Sequence, residues 1–177
     1  MHMTRKTNTF LSMLHPTTLT FDEGYHTTCV AVLNVCLEHK MPVNYKPYYY
    51  DTVLNLAVYY QRRKHVQLLI KHRADVNCCS GYPIRHAAWN NDLDVTDMLI
   101  DAGADVNLCS TRTSAINTAL VYASLPVVSR LIQAGAIINN IMLAMSLARK
   151  SAIDSAEKVA FLNTRWNHRL IPSRRAS

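Results

Sequence analysis

Glycine is scarce in this chain, with 4 among 177 residues, too few for a flexible low-complexity polymer or a collagen-like one. No apolar run approaches the roughly 18 residues needed to cross a bilayer, so no membrane partner is expected. Acidic residues are outnumbered 12 to 19 by lysine and arginine, and none precedes Asp22. The five cysteines (Cys29, Cys36, Cys78, Cys79 and Cys109) are an odd number without C-x-x-C spacing. A disulfide framework or a structural zinc site would need a different arrangement. Free thiols in a reducing compartment are expected, which places the chain in the cytoplasm, with the nucleus as an alternative. Also missing are a Gly-rich phosphate loop, an H-E-x-x-H helix and a G-x-S-x-G elbow, and the eight histidines lack ligand spacing. Neither an enzyme nor a cofactor or metal is expected.

Against these absences stands a hydrophobic fraction of 49%, enough to bury a core. Its distribution is periodic. Between Ser80 and Asn107, Pro83 can open a short helix through its fixed φ, and Ala87 and Ala88 give that helix a flat side. Asn91 suits the left-handed geometry of a tight turn. Val95, Met98, Leu99 and Ala102 recur at helical spacing, and Gly103 stops the second helix. The asparagine that closes this unit recurs as Asn44, Asn77, Asn107 and Asn139, at intervals of 33, 30 and 32 residues. Leu69, Leu99 and Leu131 stand eight residues before the last three, each followed by an isoleucine (Ile70, Ile100, Ile132). The helix-ending glycine is kept as Gly103 and Gly135 but replaced by Lys40 and Arg73 in the earlier units. One helix pair cannot bury its own apolar face, so a series of stacked pairs follows.

The repeated unit resembles the ankyrin repeat, whose pattern is Thr-Pro-Leu-His-x-Ala-Ala, a turn Gly, a paired-Leu helix, then Gly-Ala-Asp-Val-Asn. Gly103-Ala104-Asp105-Val106-Asn107 matches in full, whereas Tyr82, Ile84 and Arg85 replace the Thr, Leu and His. The resemblance implies an all-α fold, a solenoid of about five helix-turn-helix units with short hairpin-like turns, at about 21–44, 49–77, 80–107, 112–139 and 141–163. Residues 1–20 are expected to be disordered or loosely docked, a targeting presequence being the alternative, and 164–177 to form a frayed basic tail. The helix pairs are expected to bury Leu54, Ala57, Val58, Val66, Leu69 and Ile70 in the second unit. In the fourth, Ile116, Ala119, Leu120, Val127, Val128, Leu131 and Ile132 take those places. Met142–Lys150 and Asp154–Asn163 read as a final pair, with Asp154-Ser155-Ala156-Glu157 in the form of a capping box.

In ankyrin proteins partners bind the turn tips and the exposed side of each first helix. Carried over, the helix positions are Tyr59, Tyr60, Trp89, Asn90, Val121 and Tyr122. The tips run Tyr48–Asp51 (with Tyr49 and Tyr50), Cys79–Tyr82 and Leu108–Arg112. Aromatic residues crowd into this region, and tyrosine and tryptophan bury a large area at low entropic cost. Tyr59, Tyr60 and Trp89 are expected to form one strip, unless they fill gaps between units. His86, one residue past the family's histidine position, is expected at the surface. The resemblance also implies that Asn77, Asn107 and Asn139, each with leucine eight residues upstream and valine or isoleucine just before, are targets of an asparaginyl hydroxylase. The alternative is that they only hydrogen-bond the turn.

The expected function is a non-catalytic protein-interaction module, an adaptor or inhibitor, monomeric, with another protein as partner. Two further readings stay open. Ser146-Leu147 and Leu170-Ile171-Pro172 weakly resemble parts of a SOCS box, which would make the chain a substrate-recruiting subunit of a cullin-RING ubiquitin ligase. The net charge of +7 would favour weak nucleic-acid binding, were it not for local pairing. A shift of 30 residues sets Arg62 over Asp92, Lys64 over Asp94 and Lys71 over Asp101, as exposed pairs worth ~0.2–1 kcal/mol each. The fourth unit, with Ser124, Pro126 and Gln133 at the matching places, offers no such charges.

Overall fold

Short polar side chains start the helices. The first amides of a helix lack intrahelical acceptors, and an oxygen just ahead of the helix can supply one. Thr52 Oγ1 accepts from the Asn55 N–H at 3.3 Å, Asp92 Oδ1 from Val95 at 3.1 Å, Ser114 Oγ from Asn117 at 3.3 Å, and Asn140 Oδ1 from Leu143 at 3.0 Å. The computed structural model describes residues 43–44, 52–109 and 113–170, with side chains as far as Arg165. Its regular elements are all helical: α1 (Val53–Tyr59), α2 (Arg63–Lys71), α3 (Cys78–Trp89), α4 (Leu93–Asp101), α5 (Ala115–Tyr122), α6 (Leu125–Gln133), α7 (Ile141–Lys150) and α8 (Ser155–Leu170). The first unit of the series up to Lys40, the N-terminal residues and those beyond Leu170 lie outside the described residues, as do Cys29 and Cys36.

The second helix of three successive pairs ends in the same way. The N–H of the residue at positive φ donates to the third residue back, and the next N–H to the fifth back. These pairs are Arg73 to Ile70 and Ala74 to Leu69, Gly103 to Ile100 and Ala104 to Leu99, then Gly135 to Ile132 and Ala136 to Leu131, at 2.9–3.1 Å. This double closure demands a left-handed residue. Gly103 (φ 88°) and Gly135 (φ 92°) meet the demand without strain, whereas Arg73 is held at φ 62°. The paired Leu-Ile of the sequence supplies the accepting carbonyls, while the leucine side chains (Leu69, Leu99, Leu131) are buried.

The described residues fall into two compact units, one ending at Asp75 and the other starting at Val76. In the first, α1 packs on α2, burying Leu54, Ala57, Val58, Val66 and Leu69. In the second, α3, α5 and α7 pack side by side as one layer and α4, α6 and α8 as another. Each first helix also packs on its own second helix. Ile84, Ala87, Ala88, Leu99, Ile116, Ala119, Leu120, Val127, Val128 and Leu131 fill the space between, as the helical spacing predicts. Ile70, Met98 and Ile132 are half-buried, and Ala102, placed in the core by its spacing, is exposed because it is the C-cap of α4.

Four further features depart from expectation. The chain reaches α3 through Cys79, Ser80 and Gly81, all at positive φ, and Pro83 follows in the first regular turn. A Cβ on Gly81 would stand 2.8 Å from that of Leu108, so backbone and packing both require glycine there. The last helix continues through Leu170 rather than stopping at Asn163. Asp154 does not serve as a capping box in the extended conformation of an N-cap: it sits at φ 49°, and its Oδ2 accepts from the Leu125 N–H at 3.0 Å. Finally, the fourth unit does supply a charge. Arg130 of α6 reaches Asp97 Oδ1 at 2.6 Å and Asp101 Oδ1 at 2.9 Å on α4, while Asp92, expected in an exposed pair, is a buried N-cap.

Replacing Arg73 by glycine removes the cost of a side chain at positive φ. The Arg73→Gly variant should gain about 1 kcal/mol in urea unfolding, with an unchanged m-value. A loss of stability would mean that this turn is not held in the left-handed form.

Candidate protein-binding surface

On a helix, residues four and then three apart share a face. Tyr82, His86 and Trp89 of α3 are spaced in this way, and their rings follow one another, Tyr82 to His86 at 4.2 Å and His86 to Trp89 at 5.2 Å between centroids. The row crosses to the neighbouring helix, where the Tyr122 ring of α5 lies 6.4 Å from Trp89 at an interplanar angle of 73°. Edge-to-face contacts of this kind add about 0.5–1.5 kcal/mol beyond area burial. Trp89 remains 47% exposed and Tyr122 51%, an unusual presentation for two large rings on one surface. Arg85 lies 5.3 Å over the Tyr82 ring and donates from Nη1 to the Thr113 carbonyl at 3.3 Å, tying α3 to the segment ahead of α5.

The strip expected from sequence is therefore divided differently. Tyr59, 44% exposed, packs edge-to-face on half-buried Tyr60 at 4.9 Å within the first unit. Trp89 joins Tyr122, His86 and Tyr82 within the second. Asn90 is the half-buried C-cap of α3. Tyr48, Tyr49, Tyr50 and Arg112 lie outside the described residues.

His86 corrects a sequence expectation. It is not a surface residue: only 8% is exposed, because Tyr82 and Trp89 flank its ring on the same face. Burial, and secondarily the Arg85 charge, push its pKa from the ordinary 6.5 down to about 4. The signal was available in the spacing of residues 82, 86 and 89, which reads as one aromatic stripe once histidine is counted with the rings.

The closing asparagines have a geometry of their own. Asn77 Oδ1 accepts from the Asp105 N–H at 2.8 Å and its Nδ2 donates to the Gly103 carbonyl at 3.1 Å. Asn107 repeats this with Ile137 at 2.8 Å and Gly135 at 3.0 Å. Asn44 Oδ1 accepts from Asp75 at 2.7 Å. Each side chain thus grips the turn of the following unit. Asn139 is exposed and has no such partner among the described residues. Ser151, which stands where a SOCS box has cysteine, is buried and accepts from Lys158 Nζ at 2.6 Å. Cys78, Cys79 and Cys109 are free thiols. Among the described residues no group of three or more His, Cys, Asp or Glu is placed to hold a metal, and no helix is long and apolar enough to cross a membrane.

The family model described as Ankyrin repeat matches residues 49–81 and 82–111, the second and third units of the series. Comparison with curated proteins finds no match.

The buried histidine makes stability depend on pH. With its folded pKa depressed, His86 contributes fully above about pH 6.5, and that contribution is lost as pH falls through about 4. The shift corresponds to about 3 kcal/mol. Leu56 stands at the matching place 30 residues earlier and is equally buried, so His86→Leu keeps the site apolar. Between pH 7.5 and 4 the parent chain should lose about 3 kcal/mol relative to His86→Leu in urea titrations. Parallel pH profiles would show that the imidazole titrates normally in the fold.

Proposed function

We propose that this ankyrin-repeat protein is a non-catalytic interaction module, an adaptor or inhibitor that acts by occupying a partner protein. Ankyrin repeats generally mediate protein–protein contacts, and the family is typically non-catalytic. The observation that carries the reading is the exposed pair Trp89 and Tyr122, held edge to face across adjacent first helices and backed by His86 and Tyr82. Large rings with an ordered backing lose little entropy when a partner covers them, which makes them the usual anchors of an interface. The wider arrangement that we propose is a monomeric solenoid of about five units, working in the cytoplasm or nucleus. The nucleic-acid reading is weakened by Arg130, whose charge is already met by Asp97 and Asp101.

Partner protein captured with the full chain should be titrated against Trp89→Ala and Tyr122→Ala. At least one of the two should lose about 2 kcal/mol of binding, with the helical circular dichroism unchanged. Unfolding of both variants would instead assign these rings to packing.

The asparagines offer a second, independent reading as modification sites. Oxygenation by an asparaginyl hydroxylase requires the side chain to enter an active site, and Asn77 and Asn107 must first release two hydrogen bonds each. In the native chain a hydroxylase should therefore add oxygen at Asn139 first, with Asn77 and Asn107 following only in mild denaturant. Tryptic mass spectra showing equal oxygenation of all three in the native protein would refute this order.

A further inference from the structure

The turn after α6 differs from the two before it. In the third unit Asp105 sits two residues before the closing asparagine, and its Oδ1 accepts from the Asn107 N–H at 2.9 Å. Asp75 occupies the same place in the second unit, but the fourth has Ile137. That side chain cannot close the turn, and it is 60% exposed. An apolar residue standing where a carboxylate would serve the local structure marks a position shaped by something other than stability.

Beneath Ile137 lies a cleft of about 180 Å³, walled by Ile132, Ile138, Ile141 and Leu162, with the exposed Arg165 among its lining residues. A dry apolar cavity of about 150 Å³ takes a benzene-sized group, so this cleft fits one large side chain rather than a folded element. Arg165 lies 5.8 Å from the Phe161 ring centroid and has no ion pair among the described residues. An apolar slot and an unneutralised guanidinium therefore meet at the tip from which the acid is missing. A flanking carboxylate complements that combination, and Arg offers it two parallel donors.

We propose that the cleft between the fourth turn and α8 is a second docking site, which binds a linear acidic segment of a partner protein by inserting one leucine, isoleucine, methionine or phenylalanine while a neighbouring carboxylate pairs with Arg165. The proposal rests on the reading of this chain as a protein-binding module, but it uses residues separate from the ring strip of α3 and α5. The acidic character of the segment follows from Arg165, from the loss of the repelling carboxylate at position 137 and from the net charge of +7.

The test uses the full chain and fluorescein-labelled peptides of the form Asp-Glu-X-Glu-Asp, with X varied over all amino acids, read by fluorescence anisotropy. Binding should select large apolar X. Ile137→Asp restores the residue found at the other tips and should keep the fold while weakening binding at least about tenfold. Arg165→Glu should weaken it similarly and shift the preference to Lys-X-Lys peptides. Trp89→Ala should leave it unchanged. If Trp89→Ala abolishes binding, the peptide sits on the ring strip: the cleft proposal fails and the general reading stands. Indifference to X, insensitivity to Arg165→Glu, or no binding by any peptide at millimolar concentration overturns the proposal. So does a large gain in affinity on deleting residues 171–177, which would make the chain's own end the occupant. A concentration-dependent dimer broken by Ile137→Asp would assign the cleft to a second copy and overturn it too.

Discussion

The side chain of each closing asparagine carries the order of the series. It reads two groups at once on the next turn, accepting from an N–H through Oδ1 and, for Asn77 and Asn107, donating through Nδ2 to the carbonyl of the left-handed glycine. That carbonyl points toward the asparagine only when the preceding helix ends in the double closure, and the double closure needs a residue at positive φ. Glycine, the leucine four residues ahead of it and the asparagine thus form one device spread over two units. Each hydrogen bond contributes about 0.5–1.5 kcal/mol net, modest in itself. The larger effect is on register, since a slipped neighbour would satisfy neither end of the amide. The unit length varies between 30 and 33 residues without harm because the clamp fixes the turns and leaves the loop between helices free to differ.

The last helix pair has no following turn to grip and is held differently. Lys158 of α8 is fully enclosed, and its Nζ donates to the Leu120 carbonyl near the end of α5 and to Ser151 Oγ. Carbonyls in the last turn of a helix have no intrahelical donor, and a cation suits that end of the helix dipole. Burial nevertheless pushes the amine below the ordinary lysine value, an effect that Asp154 opposes only in part. Asp154 also accepts from Leu125 N–H, so the loop between α7 and α8 reaches back to both helices of the preceding pair. Polar groups on helix flanks thus take over from the turn clamp.

How much of this was legible in the sequence follows from how each feature is encoded. The clamp series was legible because it repeats: one glycine or asparagine means little, but the same residues at regular intervals imply a shared geometry. Even Arg73, a poor residue for the turn, was placed by its register, and its positive φ follows from the closure around it. Features used once were not legible. Arg130 pairs diagonally with Asp97 and Asp101 rather than straight across, so a register shift could not find it. Lys158 sits in a helix whose exposed residues are mostly polar, and nothing local marks it as enclosed. His86 was misplaced because burial of its ring comes from two aromatic neighbours and not from the periodic core.

That last case bears on how frame and surface are divided. The clamp residues and the leucine-isoleucine pairs leave the outer positions of the first helices unconstrained, and those positions differ from unit to unit: Tyr59, Trp89 and Val121 occupy matching places. A surface built on such positions can change without disturbing the stack. His86 is the exception, since it is buried within α3 and in ring contact with Trp89. Protonating it would place an unfavourable charge inside the helix layer and beneath the exposed indole at the same time. In this chain the presentation of the aromatic strip is therefore coupled to the stability of α3, through one side chain that the ankyrin pattern leaves unspecified.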